Sequence, residues 1–174
     1  IYENGNLIST VRNIEDYWDN SFVAFAIGCS FSFEDALLNA GLEIDHITNN
    51  KVVPMYRTNI KNKKSGPFNS KMVVSMRIFN QKDINKVKQV SGNFSFAHGD
   101  PIHIGNPIEI GINNILSPDW GDSPRKKNND EEYIFWACGV TPQNAIIEAK
   151  IPFCITHTPG HMLITDISEK SLHS

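Results

Sequence analysis

The stretch FVAFAIGCSFSFEDALLNAG, Phe22 to Gly41, constrains this chain more than any other. Phe22 to Ile27 is an unbroken apolar run, the pattern of a strand covered on both faces. Gly28 then permits a sharp turn or a close backbone approach. Ser32 with Asp35 three residues on has the form of a capping box, with Asp in place of the better Glu or Gln. Ala36, Leu37 and Ala40 supply an apolar stripe, and Gly41 stands where a helix closes. A second stretch, Tyr133 to Lys150 (YIFWACGVTPQNAIIEAK), repeats the plan. Its strand runs Ile134 to Ala137, its turn is Cys138-Gly139, Thr141 is the N-cap, and Pro142 takes the first helical position. In open α/β sheets ligands bind outside the carboxyl ends of the strands. The expected fold is therefore α/β, a mixed sheet with strand–turn–helix units and a small-molecule site on the two turns.

The other segments fit that alternation. Asn4-Gly5 between apolar flanks predicts a hairpin, and Asn13 to Trp18 a short helix capped by Asn13. Asp45 to Lys51 reads as a polar connection. Val52 to Ile60 is extended, and Pro54 assigns it to an edge or a bulge. Met72 to Phe79 is a strong strand. Gln81 to Val90 is an amphipathic helix with Ile84, Val87 and Val90 inward. Phe94 to Gly111 alternates short strands and turns, with a helical turn from Pro107. Phe153 to Thr156 and Met162 to Thr165 are the last strands. Residues 1–174 form a single region, with a smaller α+β lobe over about 51–130. The start at Ile1, in mid-pattern, is expected to lack an N-terminal part.

Composition narrows the partners. A net charge of −3 argues against nucleic acid or an acidic membrane. The basic run Lys61 to Lys64 reads as a solvated loop. Three cysteines without regular spacing argue against a disulfide framework and fit a reducing cytoplasm. No apolar run has membrane-spanning length. The expected partner is a small-molecule carboxylate, with further copies of the chain left open.

Four of the six histidines lie in two compact turns, His98 with His103 and His157 with His161. Histidine titrates near neutrality, so these form the acid–base set. A divalent metal at the pairs is the alternative, though Pro159 and Gly160 keep His157 and His161 off a helix and no metal ligand is assigned. Arg57 and Arg77 stand among apolar residues and need partners, either a structural carboxylate or that of a substrate. Cys29 and Cys138 could be nucleophiles, but small thiols also pack well at strand ends. Their turns matter more as backbone N–H donors, around Cys29-Ser30 and Gly139-Val140, for a carboxylate or an oxyanion. Glu34 and Asp35 read as residues that suit a helix start. Among the turn aspartates, Asp122 and Asp166 are the acid–base candidates. No phosphate loop, dinucleotide fingerprint or nucleophile elbow occurs.

The stretches FAIGCSFSFEDALLNAG, VPMYRTNI, MVVSMR, HGDPIHIG, PDWGD, FWACGVTPQ and ITHTPGHMLITD, in this order, resemble the D-glutamate cyclase family. Many bacterial members of that family carry hydro-lyase names. The chain departs from it at Ser70-Lys71, where Gly-Pro is frequent, and at Ile78, where Pro is common. The resemblance implies a hydro-lyase that closes D-glutamate to 5-oxo-D-proline with loss of water and needs no organic cofactor. That chemistry needs a carboxylate clamp (Arg57 or Arg77), oxyanion donors at the two turns, and a base and acid from the histidines. The alternatives are a carboxylate-binding protein without catalysis, and a metal-dependent hydrolase using the His pairs.

Overall fold

The computed structural model describes residues 1–167. Its strands are β1 (Tyr2–Glu3), β2 (Asn6–Leu7), β3 (Met55–Lys61), β4 (Lys71–Asn80), β5 (His103–Ile104), β6 (Glu131–Ala137) and β7 (Phe153–Cys154). Its α-helices are α1 (Glu34–Asn39), α2 (Asp45–Thr48), α3 (Ile84–Gly92) and α4 (Thr141–Ala149). The α/β content is as expected. Where a mixed sheet was expected, every strand pairing among the described residues is antiparallel. The larger sheet runs β3-β4-β6-β5 and the smaller β2-β1-β7. No helix among the described residues is long and apolar enough to cross a membrane.

β4 is the organising strand. It pairs with β3 on one side and β6 on the other, so its backbone is satisfied on both edges. Its side chains alternate between two covered faces. Val74, Met76 and Ile78 join Tyr56, Tyr133 and Phe135 on one face, under Ile110 and Ile112. Val73, Ser75, Arg77 and Phe79 point to the other, where Phe33, Leu37, Ile44, Val87 and Trp136 form the main core. That face holds the buried Ser75 and Arg77, and α1, α3 and α4 cover it.

Several local expectations hold for identifiable reasons. Asn4 and Gly5 both take positive φ and close the β1–β2 hairpin. β3 is an edge strand, and its register shifts between Arg57 and Lys61. Gly41 ends α1 at φ +77°: its N–H bonds Leu38 O, and that of Leu42 bonds Leu37 O, the paired closure only a left-handed residue allows.

Four expectations fail. Phe22 to Ile27 forms no strand: Phe22 is half-buried against the Trp18 and Phe153 rings, and Val23 to Ile27 lies in the open, with Val23 73% and Phe25 84% exposed. The first strand–turn–helix unit is thus an extended arm, a turn and a helix. Met162 to Thr165 is also unpaired, with Ile164 86% exposed. Phe94 begins no strand but precedes a 3₁₀ turn, Ser95–Ala97. Asp45 to Lys51 is no plain connection, since it contains α2.

Candidate active site

The polar centre of the sheet face is Arg77, only 2% exposed. Its Nε donates to Glu34 Oε1 at 2.8 Å, and its Nη2 donates to the same oxygen. Nη1 reaches Ser75 Oγ and Nη2 reaches Ser30 Oγ, each at 3.1 Å. The hydroxyls of Ser30 and Ser75 lie 3.3 Å apart. His46 on α2 brings Nε2 to 3.1 Å from Glu34 Oε1. The guanidinium lies 5.1 Å from the Phe33 ring and 5.3 Å from the Trp136 ring. Arg77 thus spends nearly all its donors on protein groups. It cannot offer a substrate a bidentate clamp, and acts as a fixed positive charge. Burial alone would raise the Glu34 pKa, but the Arg77 charge and the His46 contact outweigh it and hold the carboxyl below its usual range.

Both glycine turns reach this cluster. A Cβ placed on Gly139 would stand 3.6 Å from the Gly28 carbonyl oxygen, so the two turns touch. Ser30 sits in the first turn, and Cys138 N–H is tied to Val73 O of β4. Among the described residues, the N–H groups of Cys29, Ser30 and Gly139 meet no protein acceptor. Thr141 does not cap its own helix. Its Oγ1 instead accepts from Val73 N and donates to Val73 O, which pins the start of α4 to β4. Ser32 gives α1 no side-chain cap either. The thiols belong to the wall. Burial raises the Cys29 pKa and pushes Cys138 up to about 11, so both stay protonated near neutrality.

His98 completes the group. It holds a left-handed φ of +77°, uncommon for a residue with a side chain. Its Nε2 is buried and has no hydrogen-bond partner. Burial lowers its pKa and the Arg77 charge adds to this, while a bond with the Gly28 backbone works the other way.

The remaining candidates lie elsewhere. His103 pairs opposite Phe135, on the far face of the sheet, and its Nε2 is 2.9 Å from Asn106 O. His98 and His103 are therefore split by the sheet. His157 and His161 are exposed, and each ring bonds a carbonyl of its own turn, Thr158 O at 2.8 Å and Pro159 O at 3.4 Å. Among the described residues, no group of three or more His, Cys, Asp or Glu side chains could hold a metal ion. Asp122 accepts from Val52 N at 2.7 Å, a loop-fixing bond. Asp166 is exposed. Arg57 shares the Arg77 face but stands opposite Val73, four residues along β4 from Arg77 and so about 13 Å away.

Glu34, His46 and Ser75 escaped the sequence. Glu34 had an adequate local explanation at a helix start, although a buried arginine announces a buried carboxylate. Ser75, amid MVVSMR, was the available signal: a lone hydroxyl inside an apolar strand needs a polar neighbour.

N–H groups without a protein acceptor on the two turns, the buried charge of Arg77 and the unpartnered Nε2 of His98 thus belong to one region of the fold. The chain matches the D-glutamate cyclase family over residues 23–166 and belongs to that family. It is 49% identical over 166 residues to a protein of Pelagibacter ubique, covering 95% of this chain and 64% of that one. It is 50% identical over 169 residues to one of Dinoroseobacter shibae, covering 97% and 56%. With a protein of Burkholderia ambifaria the identity is 48% over 172 residues, covering 99% and 66%. All three bear the name "Putative hydro-lyase". The chain spans less than two thirds of the length of these relatives.

Proposed function

We propose that this chain carries the reaction centre of a hydro-lyase that dehydrates a small carboxylic amino acid, with D-glutamate closing to 5-oxo-D-proline as the specific reaction. The observation that carries the proposal is the buried, unpartnered Nε2 of His98 beside the free N–H groups of Cys29, Ser30 and Gly139. His98 Nε2 takes a proton from the α-ammonium. The freed amine attacks the γ-carboxyl carbon, forming the C–N bond and a tetrahedral oxyanion. The turn N–H groups receive that oxyanion, and the Arg77 charge behind them favours it. The attacking nitrogen passes its extra proton to one oxygen of the former carboxylate, the imidazolium returns its proton to the same oxygen, the C–O bond breaks, and water leaves. Protonated cysteines form no covalent intermediate in this scheme. The free thiols fit a cytoplasmic setting.

The test is 5-oxoproline formation from D-glutamate, followed by chromatography. His98→Ala is expected to lower kcat by about 10²-fold or more, the usual weight of a general base. Cys29→Ala is expected to keep most of the rate. No turnover of D-glutamate or of related amino and hydroxy acids, or a His98→Ala enzyme as fast as the parent, would overturn the proposal.

A further inference from the structure

A second polar feature lies outside this site, where β3 meets the loop that follows Gly111. Here a groove of about 210 Å³ is lined by Tyr56, Arg57, Asn113, Asn114, Ser117 and Asp119, among others. The Arg57 guanidinium is immobilised on three sides. Nη1 donates to Asp119 Oδ1 at 2.5 Å, Nε donates to Asn144 Oδ1 at 3.0 Å, and Cζ lies 4.3 Å from the Trp120 ring. Asp119 is fixed in turn, since its Oδ2 accepts from Arg57 N at 2.8 Å. The pair is not closed to a ligand. The Arg57 side chain is 48% exposed. Its Nη2 meets no acceptor among the described residues, and each Asp119 oxygen keeps a lone pair.

A guanidinium and a carboxylate held side by side form a fixed, net-neutral dipole. A lone anion drawn to Arg57 is repelled by Asp119, and a lone cation meets the reverse. A ligand with both charges on neighbouring atoms gains from both and closes a ring of four alternating charges. The volume falls below that of pockets for drug-sized ligands. Exposed amides of Asn113 and Asn114 and the Ser117 hydroxyl leave the rim polar. We infer that this groove is a binding site for a small zwitterion with adjacent ammonium and carboxylate groups, its carboxylate on Arg57 and its ammonium on Asp119. The inference does not rest on the dehydration chemistry, because its groups are separate from the His98 cradle.

The test is binding, read from the Trp120 indole N–H in a ¹⁵N-labelled sample of the whole chain. D-serine is the probe, with D-lactate lacking the ammonium and ethanolamine lacking the carboxylate. D-serine is expected to shift the Trp120 signal saturably, and each half-ligand to bind at least tenfold more weakly. Ser117→Phe fills the groove without touching the ion pair. It should remove the shift and leave the thermal transition in place. Asp119→Asn should erase the preference over lactate. His98→Ala should leave D-serine binding unchanged. Equal binding of lactate and serine would mean a plain anion site and would overturn the inference. So would a Ser117→Phe protein that still binds, loss of binding in His98→Ala, or no saturable shift at all. None of these readouts involves turnover, so a failed dehydration assay would leave the inference standing.

Discussion

Glu34 shows how one side chain holds several others in place. It is 8% exposed, yet its Oε1 receives Arg77 twice and faces His46. Replacing it with Gln leaves a buried guanidinium without its anion, a loss of about 3–5 kcal/mol. Urea denaturation of Glu34→Gln at neutral pH should show a fall of that size. Glu34 is the depressed-carboxylate case: its stabilisation is complete above its ordinary value of 4.5 and is lost as pH falls through the lower folded value. The parent should therefore weaken as pH falls from 4.5 toward the folded value, and Glu34→Gln should lose much of this dependence. His98 carries the opposite charge type with the same direction. Its folded pKa lies below its ordinary 6.5, so it is neutral at pH 7, and protonation in acid removes both stability and the base. The acid limb of kcat/KM for D-glutamate should accordingly fall below pH 6.5; a limb above that value would exclude His98 as the base. The sequence showed that Arg77 needed a partner, because an apolar context forces pairing. It could not show which carboxylate, since the choice between Glu34 and any other depends on how α1 lands on β4.

The two glycine turns separate what an element tolerates from what it forbids. A Cβ on Gly28 would lie 1.7 Å from Phe96 O, a backbone atom that cannot swing away. A Cβ on Gly139 meets nothing closer than 3.6 Å. Gly28→Ala should therefore force the Ser95–Ala97 turn to move and cost about 3 kcal/mol or more, while Gly139→Ala should cost less than about 1 kcal/mol. Thermal denaturation of the two proteins measures the contrast, and equal losses would show that the turns do not pack as described. The glycines themselves were legible, because the strand–turn–helix pattern placed both. The Phe22–Ile27 arm was not, for a physical reason. An unbroken apolar run has no period that distinguishes a paired strand from an extended segment, and pairing depends on a neighbour far away in sequence. β4 and β6 were legible because their apolar runs coincide with long antiparallel partners. Among the histidines, compact spacing in sequence misled. His98 and His103 sit five positions apart, yet β5 carries His103 to the face opposite the Arg77 cluster.

At the scale of the molecule, apolar content and apolar burial have parted. Phe33 and Phe25 lie in one motif. Phe33 is fully buried, its ring centroid 5.3 Å from that of Trp136, whereas Phe25 is 84% exposed. Side-chain chemistry is identical at the two positions, so any difference between their substitutions reports on packing alone. Phe33→Ala removes the side chain that covers Arg77 and fills the main core, and should cost about 3–5 kcal/mol. Phe25→Ala should change stability by no more than about 0.5 kcal/mol, as surface substitutions do. Chemical denaturation of the two proteins, at matched concentration and with the slope of the transition compared, gives the answer directly. A large loss in Phe25→Ala would place the arm inside a packed structure and return Phe22–Ile27 to the buried strand its sequence pattern describes. A small loss would leave the core where β4 puts it, between Phe33 on one face and Phe135 on the other. The Gly28 turn would then be held by its contacts with Phe96 and Gly139 and not by the arm that leads into it.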